Sequence, residues 1–260
     1  MEQHDLAARQ FGSTAAAYLT SSVHASGADL ARLTRLAETP GMLRALDLGC
    51  GAGHASFALA RAGIREVVAY DLAPQMLQVV ATEAKVRGHA QIETCAGPAE
   101  HLPFAAAGFD MVVTRYSAHH WLDVPRALRE VARVLKSGGT FVVIDVLAPE
   151  TPLMDTVLQT LEILRDESHV RDYRGSEWQA MLEAATFGAT RPAVAMADRW
   201  KLPMQFDSWV ARIGTAPPRI AALKTVMDAL PSDARRYFSM SPDHSFTIDA
   251  GWFEVGKVPD

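Results

Sequence analysis

The chain has little cysteine, no block of basic residues and no long apolar run. Two cysteines cannot build a disulfide framework and suit a reducing compartment. The 25 lysines and arginines are outnumbered by 30 aspartates and glutamates, which argues against nonspecific nucleic-acid binding. No apolar stretch approaches about 18 residues, and the N-terminus lacks a signal-peptide pattern. We therefore expect a cytoplasmic protein without a membrane span.

Metal-binding and Walker-type phosphate motifs are also missing. No H-x-x-H or H-E-x-x-H spacing occurs, so we expect no metal. No Lys-Ser or Lys-Thr pair follows the glycine-rich stretch after residue 48, and the nearest basic residue in the next helix is Arg61. A nucleoside ligand without phosphates suits this loop better than NAD or ATP.

That glycine-rich stretch is the most informative feature present. An apolar run over residues 42–48 ends at Gly49, Gly51 and Gly53, and a helical pattern follows at once. A strand, a glycine turn and a helix form a nucleotide-sized pocket in open parallel sheets, since glycine permits sharp bends and close ligand approach. Tight packing of the turn is the alternative. The cysteine inside it, Cys50, is interpreted as a small apolar filler rather than a reactive thiol.

The glycine spacing argues against a dinucleotide. The G-x-G-x-x-G fingerprint would place its third glycine at position 54 or 56, which hold His54 and Ser56. NAD-linked reduction is therefore disfavoured.

An acidic residue ends the next apolar run. Asp71 follows Gly53 by 18 residues. A carboxylate about 20 residues beyond such a turn is placed to accept hydrogen bonds from ribose hydroxyls. A helix cap ahead of Pro74 is the competing role, and both can hold.

Strands and helices alternate through the centre of the chain. Apolar, β-branched runs predict strands near 43–48, 66–70, 91–95, 109–114 and 139–146. Helical patterns predict helices over 54–62, 74–87 and 124–135. This α/β alternation indicates a parallel sheet with helices on both faces.

Four segments carry a resemblance to a known family. They are D-L-G-C-G-A-G at 47–53, Y-D-L-A-P-Q-M-L at 70–77, A-E-H-L-P-F at 99–104 with G-F-D-M-V-V at 108–113, and A-L-R-E-V-A-R-V-L-K-S-G-G at 127–139. In order and spacing the chain resembles class I S-adenosylmethionine-dependent methyltransferases of the ubiquinone/menaquinone-methyltransferase-like (type 11) subgroup. The resemblance implies a Rossmann-like, seven-stranded, mostly parallel sheet with an antiparallel last strand.

The resemblance also implies the cofactor and its site. S-adenosylmethionine would bind, leaving S-adenosylhomocysteine, with the glycine backbone at the methionine part, Asp71 on the ribose, and Leu72 and Met76 on adenine. The full implied set is Asp47, Gly49, Gly51, Gly53, Asp71, Leu72, Met76, Ala99, Glu100, Arg115 and Tyr18. For Arg115 a surface ion pair is the alternative, and for Tyr18 a core position.

One position departs from the family pattern. The family often has an aspartate before the alanine at 99, accepting from the adenine amino group, whereas this chain has Pro98. Proline can neither accept through its side chain nor donate through its backbone. Adenine would then be held by Glu100, the Ala99 backbone or water.

We interpret the chain as a single methyltransferase domain with helical additions. Its parts are N-terminal helices over 1–39, a cofactor core over 40–148, lid or acceptor elements over 149–187 and 206–240, and last strands over 188–198 and 245–256. The additions are expected to cover the acceptor, and a homodimer surface is the alternative.

Candidate catalytic residues follow the fourth predicted strand. Strand ends at the carboxyl edge of an open sheet are where ligands bind, and His119 and His120 lie there as candidate bases or structural donors. Trp121, His169 and Arg171 are candidates for contacting the acceptor.

Two functions remain open from the sequence. One is methyl transfer to a small, largely apolar metabolite, which a set of bulky residues would suit unless they are ordinary core: Trp178, Trp200, Met204, Phe206 and Trp209. The other is a noncatalytic S-adenosylmethionine-binding scaffold or sensor.

Overall fold

The computed structural model describes residues 3–19, 27–185, 187 and 195–257, without the side chains of 13–19 and 195. Among these residues, no helix is both long and apolar enough to cross a membrane.

One sheet organises the chain. Its strands are β1 (Arg44–Leu48), β2 (Glu66–Asp71), β3 (Ile92–Ala96), β4 (Phe109–Arg115), β5 (Leu135–Ala148), β6 (Tyr173–Arg174), β7 (Ala195–Met204) and β8 (Phe246–Gly256). The order is β3-β2-β1-β4-β5-β8-β7, with β6 added beside β5. Strands β1 to β5 are parallel neighbours, whereas β8 is antiparallel to both β5 and β7. The predicted mostly parallel sheet with an antiparallel last strand is confirmed.

Ten α-helices surround the sheet in the described part of the chain. They are α1 (Gln3–Leu19), α2 (Ala28–Ala37), α3 (His54–Arg61), α4 (Pro74–Arg87), α5 (Val124–Val134), α6 (Pro152–Arg165), α7 (Gly175–Ala184), α8 (Phe206–Ala211), α9 (Pro217–Ala229) and α10 (Ser232–Tyr237). Proline starts several of them, as in α4 and α5, because its missing N–H would be unsatisfied at that position anyway.

Alternate strand residues face opposite layers. Leu46 and Leu48 of β1 pack with α5 and α7, whereas Ala45 packs with α2 and α3. Both faces of β1 are therefore buried, which explains its apolar sequence. A further cluster lies beyond the carboxyl half of β5, where α6, α8, α9 and α10 pack around Val146 and Ile248.

The structure adds three details to the expected additions. Residues 206–240 form three helices, because the helical run stops at Ala211 and again at Ala229. Strand β7 runs to Met204, past the predicted end at 198, because it pairs with β8 along its length; residues 188–194 of that prediction lie outside the described residues. The short strand β6 extends the sheet beside the end of β5.

Candidate active site

The glycine turn after β1 is fixed by bonds to the neighbouring strand. The N–H groups of Gly49 and Cys50 donate to the Tyr70 carbonyl at 2.8 and 3.0 Å. A Cβ at Gly51, whose φ is +50°, would meet nothing within 4 Å, so this backbone faces open space. Gly53 behaves differently, since its Cβ would lie 2.9 Å from Val80 on α4. Gly53 is therefore a packing glycine, and it is not among the residues lining the cavity beside the turn.

That cavity, the first cavity, lies at the carboxyl edge of β1, β2 and β4. It spans about 990 Å³, which includes space open to solvent. It brings together nine of the predicted cofactor residues: Asp47, Gly49, Gly51, Asp71, Leu72, Met76, Ala99, Glu100 and Arg115. Tyr18 lies outside the residues whose side chains are described.

Asp71 is shaped to receive a ligand with hydroxyl groups. Its Oδ2 accepts from the Gly51 N–H at 2.8 Å and its Oδ1 from the Ala73 N–H at 2.9 Å. Burial raises the pKa of Asp71, and these backbone bonds partly oppose that change. Each carboxylate oxygen keeps a lone pair for a further donor. Ala73 is the N-cap of α4 and receives no side-chain cap, so Asp71 orders the loop before the helix and does not cap it.

Asp47 anchors the start of α3 from inside the sheet. Its Oδ2 accepts from the backbone N–H and the hydroxyl of Ser56, at 2.8 and 2.6 Å. Burial raises the pKa of Asp47 to about 6, against the lowering effect of the Ser56 bonds. Its carboxylate therefore holds the turn and the helix together at the cavity wall.

Glu100 is engaged by the backbone of the loop after β4. Its Oε1 accepts from the N–H groups of Leu122 and Asp123 at 2.8 and 3.1 Å, and its Oε2 lies 3.6 Å from His4 of α1. These contacts make it a poor substitute for the aspartate that Pro98 replaces. The backbone at Ala99 remains beside the cavity for adenine recognition.

Arg115 forms a buried ion pair rather than a surface one. Its Nε lies 2.6 Å from Asp29 of α2, and both side chains are buried. The guanidinium also stacks 4.9 Å from the Tyr116 ring. Arg115 thus ties α2 to the end of β4 at the cavity wall.

A second cavity of about 620 Å³ adjoins the first. Both are bordered by Phe11, Tyr116 and His120. The second cavity is lined further by apolar residues of the sheet and the added helices, namely Val146, Leu202, Met204, Trp209 and Ile248. Polar lining comes from His119, Glu162, Arg165, Asp166, Asp172 and Arg212.

The two adjacent histidines have opposite charge preferences. Burial lowers the pKa of His119, but its 2.7 Å contact with Asp145 dominates and raises that pKa to about 9. Burial and the neighbouring His119 charge lower the pKa of His120 to about 4. The His120 Nδ1 lies 3.1 Å from the Ser168 carbonyl, so a neutral ring donates there and keeps a lone pair on Nε2. At neutral pH His119 is protonated, whereas His120 is neutral and only weakly basic.

The remaining predicted acceptor residues lie elsewhere. Trp121 lines the first cavity, where its Nε1 donates to Ser117 at 3.3 Å. His169 and Arg171 line neither cavity but a separate recess along α6. Arg171 pairs there with Asp155 at 3.0 Å. The structure therefore does not bring His169 and Arg171 to the second cavity.

The bulky residues expected around the acceptor are divided between the lining of the second cavity and the hydrophobic core. Met204 and Trp209 line the second cavity. Phe206 packs with Trp209 in the same cluster without lining it, and Trp178 belongs to the core beside α5 and α7. Trp200 hydrogen-bonds the Tyr116 hydroxyl.

Several lining residues escaped the sequence reasoning. Phe11 and His4 come from α1, and no sequence motif predicts that α1 lies beside the first cavity. Tyr116 has a φ of +52°, which is unusual for an aromatic residue and invisible in the sequence. Asp145 did carry a signal, since it is the one charged residue within the apolar run 141–148 of β5.

The first cavity fits a nucleoside-bearing ligand better than a metal. Its open glycine backbone, the Asp71 carboxylate and the buried Met76 provide a close approach, a hydroxyl acceptor and an apolar surface. Within the described residues, no group of three or more histidine, cysteine, aspartate or glutamate side chains is arranged to hold a metal ion.

Comparison with known proteins identifies the family of this chain. A family model described as a methyltransferase domain matches residues 46–143. The YafE protein of Escherichia coli (strain K12) is 44% identical over 210 residues, covering 81% of this chain and 99% of YafE. The methyltransferase YcgJ of Bacillus subtilis (strain 168) is 38% identical over 89% of each chain. Its crystal structure superposes with a TM-score of 0.82, covering 89% of this chain and 98% of YcgJ.

A partial match extends the comparison. The demethylmenaquinone methyltransferase of Bacillus velezensis is 35% identical over 109 residues, which are 41% of this chain and 47% of that enzyme. The chain belongs to the class I S-adenosylmethionine-dependent methyltransferases, in the menaquinone-methyltransferase-like group.

Proposed function

We propose that this methyltransferase acts on a small organic molecule held in the second cavity, with the methyl donor in the first. The observation that carries the proposal is the shared border of the two cavities, formed by Phe11, Tyr116 and His120. A methyl group at that border would face both cavities. In-line transfer needs the reacting atoms about 3–3.5 Å apart, so adjoining cavities are the arrangement required.

The donor side is assigned to the residues around the glycine turn. The Gly49 and Gly51 backbone is proposed to contact the methionine part, and Asp71 to accept from the ribose hydroxyls. The open space at Gly51 and the spare lone pairs of Asp71 support this assignment. S-adenosylmethionine, when bound, supplies the transferable methyl on a sulfonium.

The added helices are proposed to form the acceptor lid. Helix α6 contributes Glu162 and Arg165 to the second cavity, and Trp209 comes from α8. Helix α1 closes the other side, where Phe11 lies edge-on to His120 with ring centroids 4.7 Å apart. Such closure excludes water, which strengthens electrostatic interactions and prevents hydrolysis.

The acceptor is proposed to be largely apolar. Besides Phe11 and Tyr116, five apolar side chains line the second cavity: Val146, Leu202, Met204, Trp209 and Ile248. The partial relative from Bacillus velezensis, named for demethylmenaquinone, is consistent with an apolar cyclic acceptor. If the acceptor atom carries a proton, His120 is the proposed base, because its ring is neutral and borders both cavities.

The proposal is tested with methyl-labelled S-adenosylmethionine and a metabolite extract limited to small molecules. We expect label in an organic-soluble product. Val146→Phe fills the second cavity and should abolish labelling while leaving S-adenosylhomocysteine affinity unchanged. Val170→Phe, at a half-exposed site outside both cavities, is the matched control. Undiminished labelling by Val146→Phe contradicts the assignment of the acceptor site, and no labelling despite cofactor binding favours the scaffold function.

A further inference from the structure

Asp166, at the start of the loop after α6, is a buried carboxylate with one oxygen unused. It is 2% exposed and lines the second cavity. Its Oδ1 accepts from the backbone N–H and the hydroxyl of Ser168, at 2.8 and 2.6 Å. Within the described residues, none donates a hydrogen bond to its Oδ2, and no lysine or arginine forms an ion pair with it. The Oδ2 is therefore left for a ligand.

The neighbour of this oxygen is a second hydrogen-bond acceptor. The Nε2 of His120 lies 4.0 Å from the Asp166 Oδ2, too far for a hydrogen bond. The His120 Nδ1 lies 3.1 Å from the Ser168 carbonyl, which can only accept, so Nδ1 carries the hydrogen and Nε2 of the neutral ring has a lone pair. Two acceptors thus lie 4.0 Å apart without a donor between them.

Ser168 fixes the positions of both acceptors. Its N–H and hydroxyl bond Asp166, and its carbonyl oxygen bonds His120. Burial raises the pKa of Asp166, but the nearby His120 ring and the Ser168 bonds outweigh burial and hold that pKa below its usual range. On the other side, Phe11 of α1 packs edge-on against the His120 ring. The separation of the acceptors is therefore set by buried contacts.

A nitrogen with two N–H groups fits between these acceptors. A tetrahedral nitrogen about 2.9 Å from each of two acceptors holds them about 4–5 Å apart, close to the separation of the Asp166 Oδ2 and the His120 Nε2. A hydroxyl has one hydrogen and satisfies only one of them, and a carboxylate has none to give. A positive charge on the ligand would also compensate the buried Asp166 carboxylate. The pair therefore suits a primary amine.

The site lies where the two cavities meet, because His120 borders both. We propose that the methyl acceptor is a primary amine whose nitrogen is held by Asp166 and His120 and whose apolar body occupies the second cavity. The inference rests on the proposed function, because it assumes that the second cavity holds the acceptor. It adds the acceptor atom, nitrogen, and the two residues that select it.

The same two hydrogen bonds orient the amine for transfer. The nitrogen carries its organic substituent, two hydrogens bonded to Asp166 and His120, and a lone pair left for the methyl group. That lone pair forms the N–C bond while the carbon–sulfur bond breaks, and the electron pair of the broken bond stays on sulfur. The positive charge passes to nitrogen, where the Asp166 carboxylate stabilises it. An amine that enters as an ammonium first gives a proton to water, and the product leaves as a methylammonium.

Four probes that share a phenylbutyl body test the site. They are 4-phenylbutan-1-amine, 4-phenylbutan-1-ol, 4-phenylbutanoate and trimethyl(4-phenylbutyl)ammonium, titrated into the protein saturated with S-adenosylhomocysteine and followed by ligand-observed NMR. The primary amine should bind about tenfold more tightly than each of the others, as for a hydrogen bond to a charged group. The trimethylammonium probe has the charge without an N–H. Equal or tighter binding of any other probe overturns the proposal, and so does failure of the amine to bind.

Variants at adjacent positions separate the carboxylate from general charge. Asp166→Asn keeps an oxygen for Ser168 and replaces the unused oxygen with a donor, so the preference for the amine over the alcohol should fall about tenfold. Glu167→Gln, at an ion pair with Arg219 outside both cavities, is the matched control and should keep the preference. His120→Phe should lower the preference about fivefold. Asp166→Asn with the wild-type preference contradicts the proposal, and the wild-type order of the probes decides it if the variant does not fold.

Turnover distinguishes this inference from the proposed function. Reductive methylation of the metabolite extract with formaldehyde and cyanoborohydride converts its primary amines to dimethylamines. This treatment should abolish labelling from methyl-labelled S-adenosylmethionine, whereas extract treated with cyanoborohydride alone should be labelled normally. Labelling that survives the treatment overturns the amine acceptor and leaves methyl transfer to a small molecule in place.

Discussion

The Asp71 carboxylate accepts a hydrogen bond from the Gly51 backbone N–H at 2.8 Å, joining the end of β2 to the turn after β1. One residue thus shapes the turn and presents its remaining lone pairs to the first cavity. Asp71→Ala should weaken S-adenosylhomocysteine affinity by about 1–3 kcal/mol, the usual effect of losing a charged hydrogen-bond partner. Isothermal titration calorimetry measures the change.

Asp110 provides the matched control for Asp71. Its carboxylate also accepts from two backbone N–H groups, those of Leu43 and Arg44, but at the opposite end of the sheet. Asp110→Ala should lower stability and leave cofactor affinity unchanged. Equal losses of affinity in the two variants would show that Asp71 acts only through the fold.

Gly51→Ala should separate stability from binding. Both Gly51 and Gly63 have positive φ, at +50° and +93°, and a Cβ at either meets nothing within 4 Å. Alanine at either site should cost about 1–2 kcal/mol of stability, because the left-handed region disfavours a Cβ. Only Gly51 lines the first cavity, so only Gly51→Ala should also reduce S-adenosylhomocysteine affinity. Similar S-adenosylhomocysteine affinities in the two variants would show that the ligand does not contact the Gly51 backbone.

Pro98→Asp should strengthen cofactor binding. The family resemblance implies that an aspartate here accepts from the adenine amino group, and Glu100 is occupied by the Leu122 and Asp123 backbone. One added hydrogen bond is worth about 1 kcal/mol, or about fivefold in affinity. Pro98→Ala is the control for the loss of the ring. If both variants bind S-adenosylhomocysteine alike, adenine is held without this position.

The stability of the protein should fall as pH rises through the range in which folded His119 loses its proton. Its pKa is raised from 6.5 to about 9 in the folded state, so folding favours the protonated ring. The resulting contribution, on the order of 3 kcal/mol, is complete below about pH 6.5 and is lost as pH approaches 9. His119→Gln should therefore be less stable than wild type at pH 7 and nearly equal to it above pH 9, in urea unfolding.

Two other histidines determine how the folding stability changes at acid pH. Burial lowers the pKa of His120 and His169, so their protonation below pH 6.5 destabilises the folded state in both proteins. The comparison at pH 7 and above isolates His119, because His120 and His169 are neutral in both the folded and the unfolded state there. His244→Gln, at an exposed ion pair with Asp228, is the control. A gap between wild type and His119→Gln that does not change with pH would refute the coupling to Asp145.

The core of the fold was predictable because its two sequence signals, apolar runs and the spacing of one carboxylate from the glycine turn, are local. Apolar runs such as 109–114 fall within one strand, and the Asp71 position follows from its distance to the glycine turn. The helical additions were less predictable. The break between α9 and α10 falls at one proline, Pro231, and the end of β7 is set by pairing with β8, which is distant in sequence.

The candidate site also has a part that the sequence predicts and a part that it does not. Its donor half follows from a contiguous motif, although Gly53 shows that a motif residue can serve packing instead. The proposed acceptor half is assembled from α1, the segment after β4, β5, α6, β7, α8 and β8, so no short segment contains it. Asp172 stands beside Arg171 in the sequence, yet only Asp172 reaches the second cavity. The path of the backbone through this loop determines which side chain faces the cavity, and composition does not encode that path.

The backbone of Tyr116 has a consequence for engineering. A φ of +52° costs an aromatic residue about 1–2 kcal/mol relative to a relaxed conformation. Glycine or asparagine would relieve that cost, but either would remove a ring that packs against two hydrophobic clusters and hydrogen-bonds Trp200. Removing a packed aromatic side chain costs about 3–5 kcal/mol, which exceeds the relief. A library screened only for heat resistance would therefore keep an aromatic residue at this position, between the two cavities.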